Sequence, residues 1–148
     1  MPFSPARELG FALNDAARFL RTYADQRARE LNMTRAQWAV LVRLQRSQGF
    51  KQSELAEALD LAPITLARLI DKLSASGLVE RRDDDTDRRA NRLYLTEKAT
   101  PTLEKLGGLG EAMLRKALAG LGEHQIAEMT AGLERIKANI KTELNAGV

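Results

Sequence analysis

The 148-residue chain contains no cysteine and a single histidine, His124. Without thiols there are no disulfides, no thiolate-held zinc or iron–sulfur cluster, and no thiol-based redox sensing. One imidazole leaves little material for a histidine-built metal site or a Ser-His triad. Aromatic residues make up only 5% of the chain and prolines number four; with Ala and Leu abundant, this favours helix. No apolar run approaches the roughly 18 residues of a membrane span. The start, Met1-Pro2-Phe3-Ser4-Pro5, lacks the basic segment and apolar stretch of a secretory signal, so cytoplasm is the default expectation. Gly107, Gly108 and Gly110 follow no strand and so make no dinucleotide fingerprint. No nucleophile–base pair or metal-ligand spacing is visible. The expectation is a protein that is not an enzyme, with no cofactor and no metal.

What is present suits one globular domain, or one module fused to a short assembly element: 44% hydrophobic and 29% charged residues, with a net charge of +3. Mild basicity fits a nucleic-acid partner but carries little weight alone.

Apolar residues recur at three- and four-residue steps over 7–31, through Leu9, Leu13, Ala16, Leu20, Ala24, Ala28 and Leu31, predicting a long amphipathic helix. Thr34 is a good N-cap for a second helix reaching about Ser47, apolar on more than one face and therefore buried. Gly49 closes it. A short helix from about Gln52 to Leu59, a tight turn at Asp60-Leu61-Ala62, and a helix over 63–76 follow. Pro63 sits at the first helical position of that last helix, where proline is tolerated best. Its inner face is Leu66, Leu69, Ile70 and Leu73; Gly77 ends it. The period then changes to alternation: 78–82 and 91–95 read as strands around an exposed loop at 83–89. Thr96 caps a further helix, and the last third reads as two helices, 97–120 and 123–145. The mid-helix glycines at 107, 108 and 110 predict a bend or a close helix crossing. The final helix carries the cleanest stripe: Ile126, Met129, Leu133, Ile136, Ile140 and Leu144. Met129 reads as packing and His124 as a surface residue.

Two short helices joined by a three-residue turn and followed by a charged hairpin make a winged helix-turn-helix unit. The fold class is thus mainly α with a small β-hairpin wing. The chain divides into flanking helical elements at 1–33 and 97–148 and a DNA-reading unit at 34–96. On the helix 63–76 the face opposite the core, Ile64, Thr65, Arg68, Asp71 and Lys72, is free to enter a major groove, and Arg68 can pair bidentately with guanine. Arg88 and Arg89 at the wing tip can lie along phosphates or enter a narrow minor groove. Between 62 and 98 eight cations face seven anions, so binding depends on where the charges point. Asp87 reads as an internal brace that orients Arg89.

Three stretches, TRAQWAVLVRLQRS (34–47), QSELAEALDLAPITLARLIDKLSASGLVERR (52–82) and DRRANRLYLTEKA (87–99), resemble the MarR family of bacterial transcription regulators, and within it the SlyA-like branch. The last stretch holds the wing signature, Asp-x-Arg followed by Leu-Thr, as Asp87, Arg89, Leu95 and Thr96. The resemblance implies a homodimer held by its first and last helices, one recognition helix and one wing per subunit, and a pseudo-palindromic site on double-stranded DNA. It carries Thr65 and Arg68 over as major-groove readers, Arg89 as the minor-groove residue and Asp87 as its brace. In SlyA-like proteins the tryptophan matching Trp38 borders a cleft that takes aromatic carboxylates such as salicylate, with Arg18 matching the arginine there; Trp38 is otherwise simple core filling. Two departures stand out. Lys51 replaces the usual capping Ser or Thr, and the acidic run Asp83-Asp84-Asp85 is heavy for a DNA-binding wing. A winged-helix module that binds another protein instead of specific DNA is the alternative, separable by salt-dependent DNA binding.

Overall fold

The structure, a computed structural model, describes residues 2–147. Its elements run α1 (Pro5–Arg29), α2 (Arg35–Arg46), β1 (Phe50–Lys51), α3 (Gln52–Ala58), α4 (Pro63–Ala75), β2 (Val79–Asp83), β3 (Asn91–Leu95), a single 3-10 turn (Glu97–Ala99), α5 (Thr100–Ala117) and α6 (Glu123–Ala146). The chain packs as two compact units, one up to Met113 and one from Leu114 onward.

In the first unit the local signals act as their chemistry requires. The Ser4 side chain accepts from the Arg7 N–H, and Pro5 occupies the first turn of α1, where its missing N–H costs nothing. The helix therefore begins two residues before the expected start at residue 7. Thr34 and Gln37 cap α2 reciprocally: the Gln37 N–H donates to the Thr34 hydroxyl and the Thr34 N–H to the Gln37 side chain. The turn between α3 and α4 places Asp60 at φ 53°, a left-handed conformation that Asp tolerates better than most residues.

The core gathers Ala28 from α1; Trp38, Val40, Leu41 and Leu44 from α2; Leu55 and Ala56 from α3; and Leu66, Ile70 and Leu73 from α4, with Leu93 of β3 and Leu103, Leu106 and Met113 of α5. Leu69, expected on the inner face of α4, is half-buried. Because both α1 and α5 contribute to this core, packing does not divide the chain at 33/34 or 96/97.

The expected hairpin wing is present and gains a third strand, and two other expectations are corrected. The wing is a three-stranded antiparallel sheet of order β1-β3-β2, with Phe50 opposite Leu93 and Val79 opposite Leu95; the two residues of β1 are too few to show alternation in sequence. Thr96 does not cap a helix with its side chain: its hydroxyl donates to the Gly77 carbonyl, tying the end of β3 to the end of α4. The helix expected at 97–120 starts as a 3-10 turn and runs as α5 only to Ala117. Of its three glycines, only Gly110 marks a close approach. A Cβ there would lie 3.4 Å from Trp38 Cζ2, whereas one at Gly107 or Gly108 would meet nothing within 4 Å.

In the second unit, Gly122 caps the start of α6, its N–H donating to the Gln125 side chain. It buries none of its residues and exposes Met129, Leu133, Ile140 and Leu144. Among the described residues, no helix is long and apolar enough to cross a membrane.

Candidate nucleic-acid interface

The helix α4 commits Leu66, Ile70 and Leu73 to the core. Its 3.6-residue period turns Ile64, Thr65, Arg68 and Lys72 outward, and all four are exposed. Ile64 is 62% exposed, a large apolar side chain left in water at the helix entrance. Neither Arg68 nor Lys72 has an ion-pair partner among the described residues.

Asp71, placed by sequence on the same open face, is instead engaged. Its Oδ1 accepts from Arg81 Nη2 at 2.7 Å, while Arg81 Nε donates to Gln52 Oε1 at 3.1 Å. Arg81 shares a strand face with the buried Val79 and lies opposite Leu93. An inward-pointing guanidinium has to find acceptors, and it finds them on α3 and α4. One side chain thus fixes β2 to both helices of the reading unit.

The hairpin shows the same economy of charge. Arg82 pairs with Glu80 and lies over the Tyr94 ring, 3.9 Å from its centroid. Arg92 donates through Nε to Asp84 Oδ2 at 3.1 Å and through Nη1 to the Gly49 carbonyl at 2.7 Å. Asp84, whose side chain is only 2% exposed, also accepts from the Thr86 N–H and the Thr86 hydroxyl, each at 2.9 Å. Those two hydrogen bonds, aided by Arg92 and Lys51 and opposed by burial, lower its pKa from the ordinary 3.8 to about 2. The acidic run is therefore not uniformly turned toward DNA: its middle member is an internal acceptor.

Arg88 and Arg89 remain exposed at the hairpin tip, without ion-pair partners among the described residues. The brace expected between Asp87 and Arg89 takes a different form. Asp87 Oδ1 accepts from the Arg89 backbone N–H at 2.9 Å, a turn that shapes the tip and leaves the guanidinium unheld. Lys51 begins α3 without a side-chain cap; Glu54 compensates by accepting the Lys51 N–H at 3.0 Å.

Arg18 and Trp38 are not brought together within the chain. Arg18 is exposed, paired with Asp15 at 3.2 Å and stacked over Phe19. Trp38 is 8% exposed and walls a shallow apolar cavity of about 220 Å³ with Ala24, Ala39, Val42 and Met113. Arg35 also lines it, but its guanidinium is held by Asp25 at 3.1 Å and the cavity wall is apolar. Among the described residues no three His, Asp or Glu side chains gather as a metal-ligand set.

Sequence reasoning missed Arg81, Asp84, Arg92 and Arg35. Arg81 had a readable signal, since strict alternation from Val79 points it inward. Asp84 and Arg92 had none, because their meeting depends on how the hairpin closes.

Comparison with known proteins agrees with this geometry. Residues 33–90 match the model of the MarR family. The chain is 30% identical over 137 residues to the HTH-type transcriptional regulator YybA of Bacillus subtilis, spanning 93% of this chain and 89% of that protein. Among solved structures it is similar to a MarR transcriptional regulator from Methanosarcina mazei Go1, with a TM-score of 0.81, 27% identity, and coverage of 92% of this chain and 98% of the other. It is also similar to the transcriptional regulator SlyA, with a TM-score of 0.75, 28% identity, and coverage of 95% and 96%. A reading helix with an open polar face, a wing with unpaired arginines at its tip, and relatives that align along nearly the whole chain lead to one conclusion: the protein belongs to the MarR family and is a DNA-binding transcriptional regulator, not an enzyme.

Proposed function

We propose that the protein acts as a homodimer on a pseudo-palindromic operator, with Thr65 and Arg68 reading base edges in the major groove and Arg89 entering the minor groove. The observation that carries this reading is the contrast in charge use: the strand arginines 81, 82 and 92 are paired internally, whereas Arg68, Lys72, Arg88 and Arg89 are left open. In a nearly neutral segment, those open cations are the groups that can release counterions from DNA. Arg68 offers a bidentate fork to guanine, Ile64 an apolar contact for a thymine methyl, and Lys72 and Arg88 point charges for phosphates.

Two copies set one helical turn apart, about 34 Å, would address two half-sites. Support for the homodimer comes from exposed apolar side chains: Leu9, Phe19 and Leu20 on α1, and Met129, Leu133, Ile140 and Leu144 on α6. Solvated stripes of this kind mark surfaces that are covered in an assembly. The SlyA-like affiliation belongs to this reading too, carried by the wing signature and by Trp38. The cavity beside Trp38 suits one aromatic ring, and Arg35, which lines it, supports a reading in which its guanidinium leaves Asp25 to meet a carboxylate. A ligand held there would loosen DNA only by favouring a dimer spacing that fits the operator less well.

Selection of bound fragments from genomic DNA, followed by gel-shift titration of wild type and Arg68→Ala, tests the reading. The variant is expected to lose about 1–3 kcal/mol on the selected duplex and little on a scrambled one. Equal affinities of the variant and wild type for both duplexes would sink the base-reading assignment.

A further inference from the structure

Across the sheet, Lys51 of β1 and Arg82 of β2 both stand opposite Arg92 of β3. Three cations thus form one row, an arrangement that destabilises strand pairing unless something compensates it. Glu80 takes Arg82. The other two converge on a single carboxylate: Asp84 Oδ2 lies 3.1 Å from Arg92 Nε and 3.8 Å from Lys51 Nζ.

The same carboxylate holds the hairpin loop. Its Oδ1 accepts both the N–H and the hydroxyl of Thr86, and the Asp84 N–H donates to the Ala90 carbonyl at 3.2 Å. Arg92, oriented by Asp84, reaches across to the Gly49 carbonyl, while the Gly49 N–H donates to Leu93 at 2.9 Å. Gly49 sits at φ 81°, and a Cβ there would come within 3.1 Å of the Tyr94 hydroxyl, so a side chain would strain the backbone and crowd Tyr94. The loop that carries Arg88 and Arg89 is therefore anchored, through one buried carboxylate, to the segment from which α3 begins.

We propose that Asp84 is the positioning residue of the wing: it fixes the hairpin tip relative to the reading helices, so that Arg89 meets DNA in register with α4. It touches no nucleic acid itself. Hydrogen-bonded buried carboxylates specify a local geometry because any other arrangement leaves them unpaired. The proposal rests on the wing contact assigned above to Arg89.

The test is a thermodynamic cycle on the full-length protein with Asp84→Asn and Arg89→Ala, singly and together. Affinity for the duplex selected from genomic DNA is read by fluorescence anisotropy over a salt series. Arg89→Ala in the wild-type background is expected to weaken binding about ten-fold. Asp84→Asn is expected to weaken it comparably and to lower the salt slope by about one unit. In the Asp84→Asn background, Arg89→Ala is expected to add less than about two-fold, because an unanchored tip has already lost the contact. Full additivity of the two changes overturns the positioning role while leaving the Arg89 contact intact, as does wild-type affinity for Asp84→Asn. No effect of Arg89→Ala on its own overturns the wing contact and the positioning role together. Should Asp84→Asn fail to fold, as judged by its circular dichroism, Thr86→Val, which removes one of the loop hydrogen bonds, takes its place under the same criteria.

Discussion

The Arg81 guanidinium meets the Asp71 carboxylate at 2.7 Å, joining the first strand of the wing hairpin to the outer face of the reading helix. It also donates to Gln52 on α3 and to the Ala67 carbonyl. Asp71 is largely solvated, whereas Arg81 is mostly buried, so the two ends of this pair carry unequal weight. Removing Asp71 as Asp71→Ala forfeits an ion pair whose exposed end limits it to about 1 kcal/mol or less. Arg81→Ala abandons all three acceptors and the packing of the arginine stem, and is expected to cost about 1–3 kcal/mol. Urea unfolding of both variants checks the asymmetry; equal losses would show that the ion pair alone matters.

Acid stability reports on Asp84. Its pKa is lowered in the folded protein to about 2 from the ordinary 3.8, so the folded state favours the charged form. The stabilisation is complete above the unfolded value, near pH 4, and is lost as pH falls toward 2. Asp84→Asn is expected to flatten the fall in thermal midpoint between those limits, besides lowering the midpoint at neutral pH. An unchanged acid profile would mean that the carboxylate is not the group being titrated.

The exposed stripe on α6 predicts a change of mass. Leu133 and Ile140 lie seven residues apart on one face and are both solvated in the single chain. A charge in a dimer interface is costly unless paired, so Leu133→Glu with Ile140→Glu is expected to shift the protein from dimer to monomer, as read by light scattering. Operator affinity falls with it, since two linked half-sites contribute avidity that one does not. A dimer mass for the double variant would place the subunit contact elsewhere.

Trp38 is the sole tryptophan, and it lines the cavity edged by Arg35, so its fluorescence reports on that cavity directly. Titration with salicylate is expected to change the emission of wild type and Arg18→Ala alike. Arg35→Ala is expected to weaken the response about ten-fold, the loss of one charge-assisted contact. The reverse ranking of the two variants would return the carboxylate-binding role to Arg18.

Sequence by itself determined the elements and the reading face. Periodicity and caps act within a few residues, so Thr34, Pro63, Gly77 and the alternation in 91–95 placed α2, α4 and the hairpin close to where they stand. The outward set of α4 followed from its inward one, because a helix that buries Leu66, Ile70 and Leu73 must turn Thr65 and Arg68 away.

Tertiary structure alone decided which charges are open. Eight cations and seven anions between 62 and 98 look interchangeable in one dimension, yet Arg81, Arg92, Asp71 and Asp84 are bound to partners eight to forty-three residues away. It likewise brought Lys51 of β1 to the same Asp84 carboxylate that Arg92 of β3 meets. An ion pair depends on where two distant segments meet, and that is set by the closing of the hairpin and the packing of helices rather than by local propensity.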